Sequence, residues 1–129
     1  MKTYKKLRYQ FKRDIRRGSC YCILSGLPIY DPKQLSLEHA VPLSRGAYLE
    51  TRQDYNIFPA YKIINNLKGN LLPCEWAAHR CDILQNALDR HKLTRDDKEI
   101  VEDALNYVKV YNFQPCSICF LYEKCKDSH

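Results

Sequence analysis

No apolar run in the 129 residues approaches the length needed to cross a membrane, and the first residues lack the apolar core of a secretory signal. The expectation is a soluble, intracellular, cytoplasmic protein with no membrane partner. Acidic residues are also scarce near the N-terminus, where only Asp14 interrupts the run from Lys2 to Arg17. With 21 Lys and Arg against 15 Asp and Glu, the formal net charge of +6 favours an anionic partner over an acidic small molecule. A chain of this length makes one domain with a modest core, and no second domain is expected.

What is present begins with that basic run. Tyr4, Leu7, Phe11 and Ile15 recur at spacings of three and four, with Lys12, Arg13, Arg16 and Arg17 largely elsewhere around the wheel. This predicts an amphipathic helix ended by Gly18. Its basic face is suited to nucleic-acid phosphates, and the plainer reading is a solvated face on a core helix. Ser19 to Tyr30 reads as a turn between two short strands.

The chemistry is concentrated between Leu35 and Asn70. Leu35, Leu37, Ala40 and Val41 predict a short strand ending at Pro42, which places Glu38 and His39 side by side. Asn56 to Pro59 predicts a returning strand, and Ala60 to Leu67 a helix stopped by Gly69. Strand, loop, strand and helix, flanked by further helices, predict an α+β domain. Glu38 and Asn65 can offer oxygens to one hard divalent cation such as magnesium. His39, with an ordinary pKa near 6.5, can take a proton from water as a general base. Asn56 can bond main chain across the loop that carries His39. Arg45 and Lys68 are candidates for holding phosphate, Arg45 as a fork and Lys68 as a point charge.

Taken together, Glu38-His39, Asn56 and Asn65, with Pro42, Ser44-Arg45-Gly46 and Lys68-Gly69-Asn70 around them, resemble the HNH endonuclease family between about Cys20 and Trp76. The likeness is strongest to the HNH domain inside RNA-guided DNA nucleases, through Ser25-Gly26, Ile29 and the stretch from Lys68 to Trp76. The resemblance implies a ββα-metal (HNH, His-Me finger) core over 19–76 within one nuclease domain spanning 1–129. Around the core lie a basic helix over 1–18, a helical pair over 77–111 and a Cys-rich tail over 112–129. It also implies a catalytic set of Glu38, His39, Asn56 and Asn65. Glu38 and Asn65 would hold one Mg2+ or Mn2+ ion, His39 would activate water, and Asn56 would brace the loop. The implied substrate is double-stranded DNA, cut to a 5′-phosphate and a 3′-hydroxyl. Glu38 stands where Asp is commoner in the family. Tyr61 and Ile64 stand where many members carry one cysteine pair of a zinc knuckle.

Two helical stretches follow. Trp76, Ala77, Cys81, Leu84, Ala87 and Leu88 predict a core-facing helix from Glu75 to Lys92, with Cys74 and Cys81 on one buried face and His79 and His91 at the surface. Thr94, with Asp97 three residues on, opens a second helix that carries Ile100, Val101, Ala104, Leu105 and Val108 as one stripe.

In the tail, Cys116, Cys119 and Cys125 argue for a metal rather than disulfides in an intracellular chain. Cys22 or Cys20 would complete a structural zinc site tied to the hairpin, or His129 a local one. The spacing also resembles the iron-sulfur staple of some nucleases of another fold. Buried, unliganded cysteines are the third reading. Two other functions stay open: a non-catalytic nucleic-acid-binding accessory protein, and a nuclease acting on RNA. Monomer and homodimer both fit, since a single-site nuclease that cuts both strands often works as a dimer.

Overall fold

A computed structural model of the protein describes residues 2–45, 53–111 and 117–119. Helix α1 spans Tyr4–Arg16, and the Thr3 hydroxyl caps its first turn by accepting from the Lys6 amide at 3.2 Å. Leu7, Phe11 and Ile15 are buried on one stripe, and Arg13 and Arg16 lie in the last turn, where cations suit the helix dipole.

The segment after α1 is held by turns rather than by strands. Tyr21 and Pro28 form one isolated bridge, and the Ile29 and Cys22 amides donate to Cys20 and Leu27 carbonyls at 2.9 and 2.8 Å. The two short strands expected here do not form. Pro28 has no N–H to extend a ladder, and the Ile23 amide donates instead to the Pro59 carbonyl at 3.0 Å. Gly26 takes φ +82°, and a Cβ there would lie 2.6 Å from the Tyr107 ring and 2.9 Å from that of Tyr111. Only glycine lets the turn approach the last helix so closely.

Strand β1 (Leu35–His39) pairs antiparallel with β2 (Ile57–Tyr61), in a register that sets Leu35 opposite Tyr61, Glu38 opposite Phe58 and His39 opposite Ile57. The returning strand therefore runs two residues beyond the Pro59 end expected from sequence. Ala60 and Tyr61 are held in the ladder by Ser36 and Leu35, which delays the helix. Helix α2 (Lys62–Lys68) follows and stops at Gly69, whose φ of +54° with ψ of −128° is a backbone conformation that glycine, lacking a Cβ, adopts freely.

Helix α3 spans Pro73–Arg90, with Pro73 in the first turn where its missing N–H costs no helix bond. Helix α4 spans Arg95–Val108, capped by Thr94, whose hydroxyl accepts from the Asp97 amide at 3.1 Å. The two helices pack on each other and on α2. The indole of Trp76 is fully buried and donates to the Leu24 carbonyl at 2.9 Å, fastening α3 to the turn before β1. Arg80 ties α3 to the end of α4 by donating to the Tyr111 carbonyl at 2.9 Å. Cys74 and Cys81 correct the expectation of core cysteines: they do share one face, but it is the exposed face, because Trp76, Leu84 and Ala87 turn the other side inward.

Buried side chains from both strands and all four helices join in one core. The architecture is α+β, with a two-stranded antiparallel sheet and four helices among the described residues. No described helix is long and apolar enough to cross a membrane.

Candidate active site

The end of β1, the segment after it and the last turns of α2 enclose a cavity of about 340 Å³. Glu38, His39, Ser44, Asn65 and Asn70 line it together with Leu37, Pro42, Leu43 and Gly69. The cavity thus collects Glu38, His39 and Asn65, the three residues that the sequence predicts to share one site. The strand and the helix meet here because Ile64 of α2 is buried while Asn65, beside it, bonds to β1. The Asn65 side-chain amide donates to the Ser36 hydroxyl at 2.7 Å. That bond leaves Asn65 Oδ1 as the donor atom not used in holding the helix to the strand.

Asn56 makes the brace. Its Oδ1 accepts from the Val41 amide and its Nδ2 donates to the Val41 carbonyl, both at 2.9 Å, while its own carbonyl accepts from the Ala40 amide at 2.9 Å. The side chain is fully buried, so the chain leaving His39 is fixed by bonds that water does not compete for.

Glu38 is only 2% exposed. Its Oε1 lies 2.6 Å from the ammonium of Lys68, which also reaches the Ala40 carbonyl at 3.3 Å and the His39 carbonyl at 3.4 Å. Burial pushes the Glu38 carboxyl above its ordinary range, and the Lys68 ammonium opposes that rise. Oε2 of the same carboxylate is buried and has no hydrogen-bond partner among the described residues. An acceptor left so is costly unless something meets it.

Lys68 corrects a sequence expectation. It is buried among three oxygens of the β1 segment rather than displayed for a substrate phosphate, because α2 aims its last turn at the sheet. Arg45 is surface-exposed, and its Nη1 donates to Glu75 Oε1 at 2.9 Å and to the Asn70 carbonyl at 3.2 Å. It is anchored next to the cavity mouth formed by Ser44 and Asn70. The Leu72 amide and then Arg45 hold the Glu75 carboxyl below its usual range.

His39 is half-buried, and burial first, then the Lys68 ammonium, lowers its pKa below 6.5. The imidazole is therefore neutral at pH 7 and able to accept a proton. Its neighbour is a residue that no motif in the sequence marks. The Tyr4 hydroxyl lies 2.6 Å from His39 Nε2 and 3.2 Å from Nδ1. Tyr4 shares the spacing of the apolar stripe of α1, yet it is 47% exposed. Nothing local could signal a contact across 35 positions.

Of the basic helix residues, Lys12 and Arg13 are partly buried, and Arg16 and Arg17 are exposed. They lie toward the opposite end of α1 from Tyr4, roughly 12–20 Å along the axis at 1.5 Å per residue. Cys20 and Cys22 are both buried. Cys22 Sγ accepts from the Tyr61 amide at 3.4 Å, and burial holds both thiols up, Cys20 to about 11. Cys119 is partly exposed, whereas Cys116, Cys125 and His129 lie outside the described residues. Among the described residues no three His, Cys, Asp or Glu side chains gather as a metal-binding group. His79 and His91 are exposed. Compared with known proteins, the chain matches no family model, no curated protein and no solved structure.

Proposed function

We propose that the protein is a metal-dependent DNA endonuclease of the HNH type, built on a ββα-metal core formed by β1, β2 and α2. The observation that supports this most is the shared cavity of Glu38, His39 and Asn65, with a buried carboxylate oxygen, Glu38 Oε2, that has no hydrogen-bond partner among the described residues. A magnesium or manganese ion fits that donor set. Glu38 Oε2 and Asn65 Oδ1 are hard oxygen donors, and such ions take one or two protein oxygens and complete their shell with water and substrate phosphate. When bound, the ion supplies Lewis-acid stabilisation of charge on the phosphate and on the departing oxygen.

The chain's own residues would do the rest. Glu38 and Asn65 bind and orient. Neutral His39 takes a proton from water as the water oxygen attacks phosphorus and the bond from phosphorus to the 3′ oxygen breaks. That oxygen leaves as the 3′-hydroxyl after gaining a proton from solvent, and the phosphate stays on the 5′ side. Asn56 keeps the His39 segment from shifting. Arg45 stands beside the cavity as a contact to flanking phosphates, and Arg16 and Arg17 offer an extended footprint on duplex DNA. A structural zinc or iron-sulfur centre on Cys116, Cys119 and Cys125, with Cys22 as a further ligand, belongs to the same proposal.

One observation favours a second reading. Lys68 already neutralises Glu38, so the carboxylate has a cationic partner without any bound ion. A non-catalytic nucleic-acid-binding protein would keep that pair and need nothing more. Incubating one preparation with duplex DNA, single-stranded DNA and RNA, with magnesium and with manganese, separates these readings. Cleavage of duplex DNA supports the proposal, cleavage of RNA alone moves the substrate class, and retention without cleavage supports the binding protein.

A further inference from the structure

We infer that the groove between the first turns of α1 and the turn before β2 is a phosphate subsite, which holds the backbone of duplex DNA beside the scissile bond through Lys2, Lys6, Gln10 and Tyr55. The inference rests on the reading of the Glu38, His39 and Asn65 cavity as a nuclease centre.

A cavity of about 470 Å³ lies in this groove. Buried Leu7, Phe11 and Ile57 make its floor. Lys2, Lys6 and Gln10 stand on the α1 side, and Asp54 and Tyr55 on the side of the turn Gln53–Asn56. Lys2 Nζ donates to Gln10 Oε1 at 2.6 Å. That bond takes the acceptor end of the amide, so the Nε2 end is the one that can donate to a phosphate. Asp54 Oδ2 accepts from the Lys2 main-chain amide at 3.2 Å and so ties the residues before α1 across the groove. Two ammonium groups against this one carboxylate give the lining a formal charge of +1. Tyr55 is 62% exposed, although the next residue, Asn56, is fully buried and bonded to Val41. The phenol therefore stands on a fixed segment at the edge of the groove. Ammonium groups, a side-chain amide and a phenol are what hold a DNA backbone in place without reading its bases.

Two relations join the groove to the catalytic cavity. Tyr4, between Lys2 and Lys6, has its hydroxyl 2.6 Å from the His39 ring, and Ile57 in the floor is the partner of His39 in the strand register. Measured from Tyr4, Lys6 lies about 3 Å and Gln10 about 9 Å along the helix axis at 1.5 Å per residue. At about 3.4 Å per nucleotide of one strand, that is roughly one to three nucleotides from His39. Lys6, Gln10, Arg13 and Arg17 also recur at spacings of four, three and four, which sets them along one side of α1. The groove thus bridges the cavity and the footprint assigned to Arg17, and a strand leaving His39 meets it first.

The test is the double variant Lys2→Gln with Lys6→Gln. Both side chains are exposed, so the fold is retained. Anisotropy titrations of a labelled DNA duplex across salt concentrations, with a chelator present so that nothing is cut, count the phosphate contacts. The slope of log affinity against log salt is expected to fall by about 2 in this variant. It should fall by less than about 0.5 in Lys98→Gln with Lys109→Gln, which removes the same charge from exposed positions on α4 and its end. Tyr55→Ala should lower affinity about threefold with no change of slope, since a phenol releases no counterion. With magnesium, the KM of Lys2→Gln with Lys6→Gln for plasmid rises about tenfold. An unchanged slope in that variant, an equal fall in the α4 pair, or unaltered affinity in Tyr55→Ala overturns the inference. If the wild type binds duplex but cuts no nucleic acid, the nuclease reading fails while the slopes still decide whether the groove holds phosphate. A wild type that binds no duplex overturns both.

Discussion

Lys68 Nζ and Glu38 Oε1 lie 2.6 Å apart with both side chains almost wholly out of solvent, joining the last turn of α2 to the end of β1. The pair forms the floor on which the candidate site rests. It occupies one carboxylate oxygen and leaves the other without a hydrogen-bond partner among the described residues.

Removing one member strands the other. Lys68→Met is expected to cost about 3–5 kcal/mol in urea unfolding, and the double variant with Glu38→Gln clearly less, since no buried charge is then left alone. The pH dependence follows from the raised Glu38 pKa. The folded chain holds that proton more tightly than the unfolded chain, so the contribution of Glu38 to stability is fully present below the ordinary 4.5 and is lost as pH rises through the folded value. Without the opposing ammonium the fall steepens. The deficit of Lys68→Met should therefore be larger at pH 7 than at pH 4, and an equal deficit at both would refute the pairing.

Asn56→Ala removes both bonds to Val41 and leaves a buried amide and a buried carbonyl unsatisfied. The expected loss is about 2–4 kcal/mol, read as a lower melting temperature. A change under about 0.5 kcal/mol would mean that the brace is not a structural support.

The acid limb of the cleavage profile reports His39. Burial and Lys68 both lower its pKa, so kcat should hold level near neutral pH and reach half its plateau below pH 6.5. A midpoint above 6.5 is incompatible with this environment.

Salt dependence separates phosphate contacts from structural residues. Arg45→Ala should reduce the slope of log affinity against log salt by about 1, and Arg16→Ala with Arg17→Ala by about 2. Binding titrations across salt concentrations measure this. Unchanged slopes would remove these residues from the DNA footprint.

Much of the frame was legible because it is local. The stripe of Leu7, Phe11 and Ile15, the Thr94 cap and the strand carrying Glu38 and His39 are all short-range patterns, and each element appears near its expected place. The turn within Ser19 to Tyr30 is present, but its flanks make one bridge rather than two strands, because periodicity cannot show that Ile23 finds its partner at Pro59. Cys74 and Cys81 were placed on the wrong side of α3, since a shared face does not say which face is inward. Within the site, the nearness of Glu38, His39 and Asn65 followed from the motif. Two relations did not: Lys68 turning inward to Glu38, and Tyr4 reaching His39. Both join distant positions through side chains that are ordinary surface residues elsewhere.

The most direct measurement is cleavage of supercoiled plasmid with magnesium, comparing the wild type, His39→Ala and a chelator control, with DNA binding followed on the same samples. The account predicts metal-dependent nicking by the wild type, loss of at least about 10²-fold in kcat for His39→Ala, and unchanged DNA affinity in that variant. Equal cleavage by His39→Ala, or DNA binding by the wild type without cleavage under any divalent cation, would contradict it.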